Sequence, residues 1–345
     1  MSWTSYQQEQ DPDLPEEIDS VAAPAAGPPA DFPDALDFAS LAAELLLPVD
    51  FLERVDWLFE DRSAVIFSGP PGSGKTYLAR ALAKFYSEER YLFLQFHPSY
   101  SYEDFVEGFR PQRSTTGGLN YEIVPGPLRI VASQATQAEL KSQADGTEPA
   151  RYALVVDEIN RANLSKVLGE LFFALEYRNH PVMLQYSRQR LVLPKNLLII
   201  GTMNTADRSI ATFDSALRRR FHFVDCNPTQ PPFENLLSRY LEAHGRSHMF
   251  WLSDLLKLAN SELPDPAYAV GPSYFMRPNI DRGSAALIWR HSVWPYLTSR
   301  FDPESIPNLR WEALYAAIAS ESATADPAPT SVTEAVEEST QDNDE

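Results

Sequence analysis

A chain of 345 residues, 44% of them apolar, can hold two modest domains and bury a sizeable core. Its formal charge of -19 sits at the ends: residues 1–50 carry eleven acids and residues 321–345 eight, with no Lys or Arg in either, which leaves 29 acids against 29 basic residues between them. The neutral middle excludes a globally basic nucleic-acid surface, no apolar run is long enough to cross a bilayer, and the single Cys226 excludes an internal disulfide.

The acidic start is unlike a secretion signal, so a cytoplasmic location without membrane association is expected. Residues 1–40 and 321–345 are rich in Pro, Ala, Asp and Glu with little apolar periodicity, and are expected to be disordered tails. Order is expected from an apolar helix at Leu41 to Leu47 and an amphipathic one at Val49 to Phe59. Ala64 to Ser68 reads as the first strand. Lys75 to Tyr86 places Leu78, Leu82 and Phe85 on one helical face, and Tyr91 to Phe96 reads as a second, buried strand. Val124 to Leu140 predicts a helix entered through Pro125 and Pro127, closed by the polar break Ser142 to Pro149. A third strand, Arg151 to Val156, ends on two acids and leads to a helix over Leu164 to Tyr177. Val182 to Tyr186 and Gln189 to Leu193 suggest a hairpin, Leu197 to Thr202 a further buried strand, and Phe221 to Val224 the last. The Pro-rich stretch Asn227 to Pro232 then divides an α/β core, 41–226, from a mainly helical region, 227–320.

The chemistry lies between these elements. Gly69-Pro70-Pro71-Gly72-Ser73-Gly74-Lys75-Thr76 follows a strand and opens a helix, the arrangement in which backbone N–H groups and a helix N-terminus surround phosphate oxygens. A chance match to this pattern in such a chain is on the order of one in a hundred, and correct placement makes it rarer. Lys75 can reach the outer phosphates and the Thr76 hydroxyl can ligate magnesium; Tyr77 follows directly and is grouped with the nucleotide-contacting residues. Ala153-Leu154-Val155-Val156-Asp157-Glu158 is an apolar strand ending in adjacent carboxylates, suited to Asp157 holding the metal ion and Glu158 activating water; alone, such a pair is as often a helix start. Asn204, after Gly201-Thr202-Met203, suits a sensor of the γ-phosphate or an ordinary turn. Arg218, Arg219 and Arg220 precede the last strand, where one of them can neutralise transition-state charge on a neighbour's nucleotide, or the three form a solvated or nucleic-acid-facing cluster.

Together with the phosphate loop, four further stretches resemble the McrB-type AAA+ GTPases of the dynein-related subfamily, motor subunits of modification-dependent restriction systems. They are Phe96-His97-Pro98-Ser99-Tyr100-Ser101-Tyr102-Glu103-Asp104-Phe105-Val106-Glu107-Gly108; Asp157 through Lys166 (DEINRANLSK); Met203-Asn204-Thr205-Ala206-Asp207-Arg208-Ser209; and Gly271-Pro272-Ser273-Tyr274-Phe275-Met276. The likeness runs from about Leu45 to Arg300. It implies an AAA+ fold, a parallel sheet flanked by helices with a small helical lid, and a hexameric ring with ATP or GTP and magnesium between subunits, stimulated by a McrC-type nuclease. It further implies that Asn204 is sensor one, that Arg219 or Arg218 is the arginine finger, that Asp207 belongs to a nucleotide-responsive loop, and that Arg161 acts at the subunit interface near the neighbouring site, unless it is a surface arginine at a helix start. Relatives that read methylated DNA carry an N-terminal recognition domain where this chain has a short acidic segment, so DNA is expected to be met only through partners. A protein-remodelling chaperone shares every one of these residues, and a nucleotide-gated scaffold without turnover is the reading outside enzymes. Trp289, Trp294 and Tyr296 have helical spacing and are expected in the core.

Overall fold

The computed structural model describes residues 37–113, 119–206 and 215–324. Among them are nine strands: β1 (Ala64–Gly69), β2 (Tyr91–Gln95), β3 (Glu107–Arg113), β4 (Leu119–Pro125), β5 (Tyr152–Asp157), β6 (Val182–Met183), β7 (Arg190–Leu191), β8 (Leu197–Asn204) and β9 (His222–Asp225). Five of them form one sheet in the order β2-β5-β8-β1-β9, with every pairing parallel. Parallel neighbours require crossovers, and the intervening helices cover both faces, which explains why β1 is buried at all six positions. The two-residue period of a strand sends Val65, Phe67, Val155 and Ile200 into a cluster with the helices Phe38–Leu45, Val49–Arg62 and Lys75–Ser87. Ile66, Leu154, Val156 and Ile199 face the other way, towards Pro127–Asp145 and the segment after β5. A third cluster, drawn from residues 237–318, is helical and centres on the fully buried Trp289, whose indole N–H donates to the Leu309 carbonyl at 2.9 Å. Trp294 and Tyr296 pack partly buried against it.

The α/β P-loop fold is as the sequence predicts, and the differences are local. β2 is an edge strand with Leu92 and Phe93 more than a third exposed, because an apolar run does not reveal whether a second neighbour covers it. Val124 and Pro125 close β4 instead of opening a helix, and the helix Pro127–Asp145 runs on to a left-handed Gly146 cap, so Ser142 lies inside it. The helix expected over 164–177 is two, Leu164–Leu168 and Leu171–Glu176, parted at Gly169, whose φ of 47° ends the first. The hairpin at 182–193 forms with only two paired residues on each side. Helix reaches back to Phe38 and on to Thr324, into both stretches expected as tails; the remainder of those tails, 1–36 and 325–345, lies outside the described residues.

The antiparallel hairpin β3–β4 was not legible as a pair of strands, yet it accounts for the long motif at 96–108. Phe96 stacks on Tyr100 and meets Phe105 edge-on, and Ser101 with Asp104 forms a capping box that starts the short turn Tyr102–Phe105. Glu107, fully buried, pairs with Arg129 at 2.7 Å and accepts the backbone N–H groups of Tyr186 and Ser187 at 3.0 and 2.9 Å. One carboxylate thus ties together β3, the helix from Pro127 and the loop between β6 and β7. Removing one partner of a buried pair leaves the other charge uncompensated, at a cost of about 3–5 kcal/mol. Glu107→Ala is expected to lower stability by that order, read as a shift of the urea unfolding midpoint, whereas Arg54→Ala, which breaks an exposed pair with Asp50, shifts it by less than about 1 kcal/mol.

Candidate active site

In a parallel sheet all strands end at one edge, and the described candidate residues for phosphate and metal gather there. Residues 69–76 leave β1 and enter the helix Lys75–Ser87, with Gly72 and Gly74 at φ values of 77° and 88° that residues with a side chain rarely adopt. Register places Gly69 opposite Asn204 and Val156 opposite Gly201, so the loop, the paired acids and Asn204 stand side by side on β1, β5 and β8. The Thr76 hydroxyl donates to Asp157 Oδ1 at 2.7 Å, and the Thr202 hydroxyl donates to the same oxygen at 2.5 Å while accepting the Glu158 N–H at 3.1 Å. Thr202 was missed in the sequence; the available signal was its place two residues before Asn204, on the same face of β8.

Lys75 is buried, and its ammonium donates to the Pro70 carbonyl at 2.7 Å and to Ser73 Oγ at 3.3 Å, inside the loop it belongs to. Burial holds its pKa below the usual lysine value, against the pull of nearby acidic groups. Burial also pushes the Cys226 thiol up to about 12, so at neutral pH that group is uncharged and the opposing pull falls to Glu158 and Asp157.

Glu158 is held in a left-handed backbone conformation, φ 53° and ψ 44°, unusual for a residue with a side chain and of a kind that clusters at functional sites. Its Oε2 is buried, makes no hydrogen bond among the described residues, and lies 3.3 Å from Arg161 Nε. A carboxylate held this way, one residue beyond Asp157, is placed to accept a proton from water. Asn204 has its side-chain oxygen on the Ala206 N–H at 3.2 Å and its backbone oxygen on the Asn160 amide at 3.4 Å. The Tyr77 hydroxyl goes to Glu44 at 3.4 Å instead of to the loop, and Asp207, with Arg208 and Ser209, lies outside the described residues.

A hydroxyl and a carboxylate converging beside a phosphate loop suit magnesium, which keeps several waters and takes its other oxygens from phosphates. Thr76 and Asp157 are the residues that would hold it, and bound there it would offset phosphate charge. Among the described residues no cluster of three or more His, Cys, Asp or Glu side chains suits a metal held by protein ligands alone.

The three consecutive arginines stand at the opposite edge, before β9, where His222 pairs with Val65 near the start of β1. Four residue steps of strand, Val65 to Gly69, separate that level from the loop, roughly 13 Å. Arg220 is buried, donates to the Phe172 carbonyl at 2.7 Å and pairs with Glu176 at 2.7 Å, which makes it an anchor. Arg219 is 63% exposed and pairs with the same Glu176 at 3.1 Å; Arg218 is exposed and lies over the Phe223 ring.

A family model for the AAA domain (dynein-related subfamily) matches residues 64–221, the span from β1 to the turn after these arginines. Residues 64–221 are an AAA domain of the dynein-related subfamily. It is 36% identical over 270 residues to the type IV methyl-directed restriction enzyme EcoKMcrB subunit of Escherichia coli (strain K12), covering 72% of this chain and 55% of that protein. It is 28% identical over 202 residues to the type II restriction enzyme BsuMI component YdiS of Bacillus subtilis (strain 168), covering 47% and 56%. Identity to neuron navigator 2 of Homo sapiens is 27% over 286 residues, 10% of that protein. The McrB-type resemblance read from the motifs is borne out, and the chain spans about half the length of the two restriction proteins it matches.

The last family-like stretch proves to be a contact with the phosphate loop. Gly271 N–H donates to the Pro71 carbonyl at 3.1 Å, Ser273 N–H to the Gly72 carbonyl at 2.9 Å, and the Tyr274 ring covers Gly72. A Cβ on Gly271 would come within 2.0 Å of Gly72 carbonyl carbon, and backbone cannot yield there as a side chain can. Gly271→Ala is expected to weaken binding of a fluorescent GTP or ATP analogue at least about tenfold, a loss of about 1.4 kcal/mol, while far-UV circular dichroism stays unchanged.

Proposed function

We propose that the chain is the motor subunit of a McrB-like restriction or antiviral complex, a nucleoside triphosphatase that assembles as a ring, with six subunits expected, and drives a McrC-type nuclease. One observation carries this reading: the phosphate loop, Asp157, Glu158 and Asn204 occupy one edge of the sheet and Arg218 and Arg219 the other. Neither exposed arginine can serve a nucleotide bound to its own loop across a strand's length. A second copy placed edge to edge supplies what each site lacks, which is the geometry of an arginine finger acting in trans. The family match and the two restriction proteins support the rest.

In the proposed site Lys75 and the loop N–H groups hold the triphosphate, Thr76 and Asp157 hold magnesium, Glu158 takes the proton of the attacking water and Asn204 orients that water. Arg219, exposed, where Arg218 lies over the Phe223 ring, is the arginine offered to the neighbour, and Arg161 orients Glu158 from the next turn. The core 41–226 supplies the site, and the helical region 227–320 serves as its lid, resting on the loop through Gly271 and Ser273. ATP and GTP both fit a loop that reads only phosphates. DNA is engaged through partner subunits, in the cytoplasm; among the described residues no helix is long and apolar enough to cross a membrane.

Glu158→Gln is expected to keep nucleotide binding and lower turnover by about two to four powers of ten, measured as phosphate release from GTP and from ATP with and without the nuclease subunit. Normal hydrolysis would remove Glu158 from the mechanism. Arg219→Ala is expected to cost on the order of a thousandfold in the assembled protein with binding unchanged, and unchanged turnover would transfer the role to Arg218.

A further inference from the structure

Glu176 belongs to no motif, and its contacts are the most specific in the arginine cluster. A single carboxylate oxygen, Oε2, meets Arg220 at 2.7 Å and Arg219 at 3.1 Å. The backbone around these arginines is fixed independently: Arg62 donates to the Arg219 carbonyl, and Arg220 donates through Nε to the Phe172 carbonyl, with its guanidinium over the Phe172 ring. What remains adjustable is the direction of the Arg219 side chain, and Glu176 sets it.

The place of Glu176 in the chain gives that contact a reach. It ends the segment that begins at Glu158 and runs from the phosphate-loop edge of the sheet to the arginine edge. Two residues on, the half-buried Arg178 guanidinium donates to the carbonyls of Pro194, Leu197 and Ser63 at 3.4, 3.1 and 3.1 Å, pinning the segment at the start of β1 and β8. Burial pulls its pKa down to about 10, which leaves it charged at neutral pH. At the upper end Glu170 accepts the Tyr102 hydroxyl at 2.7 Å. The segment is therefore held at several points along its length, and a shift at Glu158 has a packed path to Glu176.

From this, and resting on the ring reading above, we infer that Glu176 is a positioning residue for the arginine presented to the neighbouring subunit, and through it links a protomer's own hydrolytic site to the next site around the ring. The energetics favour a role in orientation. The structural share of Glu176 falls to its pair with the buried Arg220; the second pair, to an arginine whose side chain is 63% exposed, adds little to the fold and is left for orientation. A bond of that strength is enough to select one rotamer of a long side chain, and it can be exchanged for a phosphate when a neighbour arrives.

Complementation between full-length variants tests this. In a ring, Lys75→Ala carries an intact arginine and a dead loop, and Arg219→Ala the reverse, so mixing the two should restore turnover of GTP or ATP that neither shows alone. No restoration would overturn the ring reading itself. Given restoration, Glu176→Ala is expected to lose at least about tenfold in turnover alone, to regain it when mixed with Lys75→Ala, and to gain nothing from Arg219→Ala. That pattern places Glu176 on the arginine side of the site, which a general folding defect cannot mimic. Glu176→Gln, equal in shape and without the charge, carries the same test if the alanine variant does not fold. Full turnover alone, recovery with Arg219→Ala, or no recovery with Lys75→Ala would each overturn the inference.

Discussion

Everything in this protein follows from five strands running the same way. Parallel pairing forces each connection across a face of the sheet, buries β1 throughout, and sorts chain ends into two edges that cannot exchange residues. The edge where strands finish collects the phosphate loop and the acids; the edge where they start collects Arg62, Arg178 and the arginines before β9. The strand order reverses at β1, because the chain leaves β1 to build β2, two strands beyond its neighbour β8, and later returns to the other side of β1 with β9, and a reversal of this kind is where ligands bind in open α/β sheets. A ligand site is thereby determined by strand order before any side chain is considered. The same order sets the exposed Arg218 and Arg219 at the edge away from the loop.

Within the site, a few buried polar groups set each other. Asp157 Oδ1 receives two hydroxyls, from Thr76 on the loop helix and Thr202 on β8, and Thr202 in turn receives the Glu158 N–H. This chain of hydrogen bonds joins β5, β8 and the helix after β1, so none can shift without breaking a bond in a place where water is scarce. It also fixes the backbone from which Glu158 departs in a left-handed turn. A side chain there has a fixed root, and Arg161 beside its buried oxygen supplies a positive partner that limits the cost of keeping that oxygen from water.

Much of this was legible in the sequence, for identifiable reasons. The phosphate loop and the acids after β5 are local patterns: a few adjacent residues specify both the turn and its chemistry, and the short apolar runs gave the sheet. Assignments that failed or were silent depended on partners far along the chain. Whether Tyr91 to Gln95 lies inside the sheet or at its edge is decided by β5 on one side and, among the described residues, by no strand on the other. The hairpin Glu107–Arg113 with Leu119–Pro125 carries Pro, Gly and Arg at positions that weaken any strand signal, and it is held by Glu107 reaching Arg129 and the 186–187 loop. Of three adjacent arginines, nothing in their order shows that Arg220 turns inward to Phe172 while Arg218 and Arg219 remain outside. Glu176 has no signature at all, since a glutamate at a helix end acquires meaning only from what folds against it.

The contact between the helical region and the phosphate loop adds the last element. Backbone bonds from Gly271 and Ser273 reach the loop's own carbonyls at Pro71 and Gly72, and Tyr274 closes over Gly72. These are bonds between two main chains, so their lengths respond to loop conformation and not to side-chain identity. A loop that changes shape as phosphates enter or leave must either carry the helical region with it or lose both bonds, and the closeness of Gly271 leaves little room for sliding. On the far edge, Glu176 ends a packed segment that starts at Glu158, on the edge of the phosphate loop. One change at the loop can therefore be felt in two directions, upward into the helical region and across the sheet to the arginines. Both routes are packed contacts within one chain: main-chain bonds to the helical region on one side, and the segment from Glu158 to Glu176 on the other.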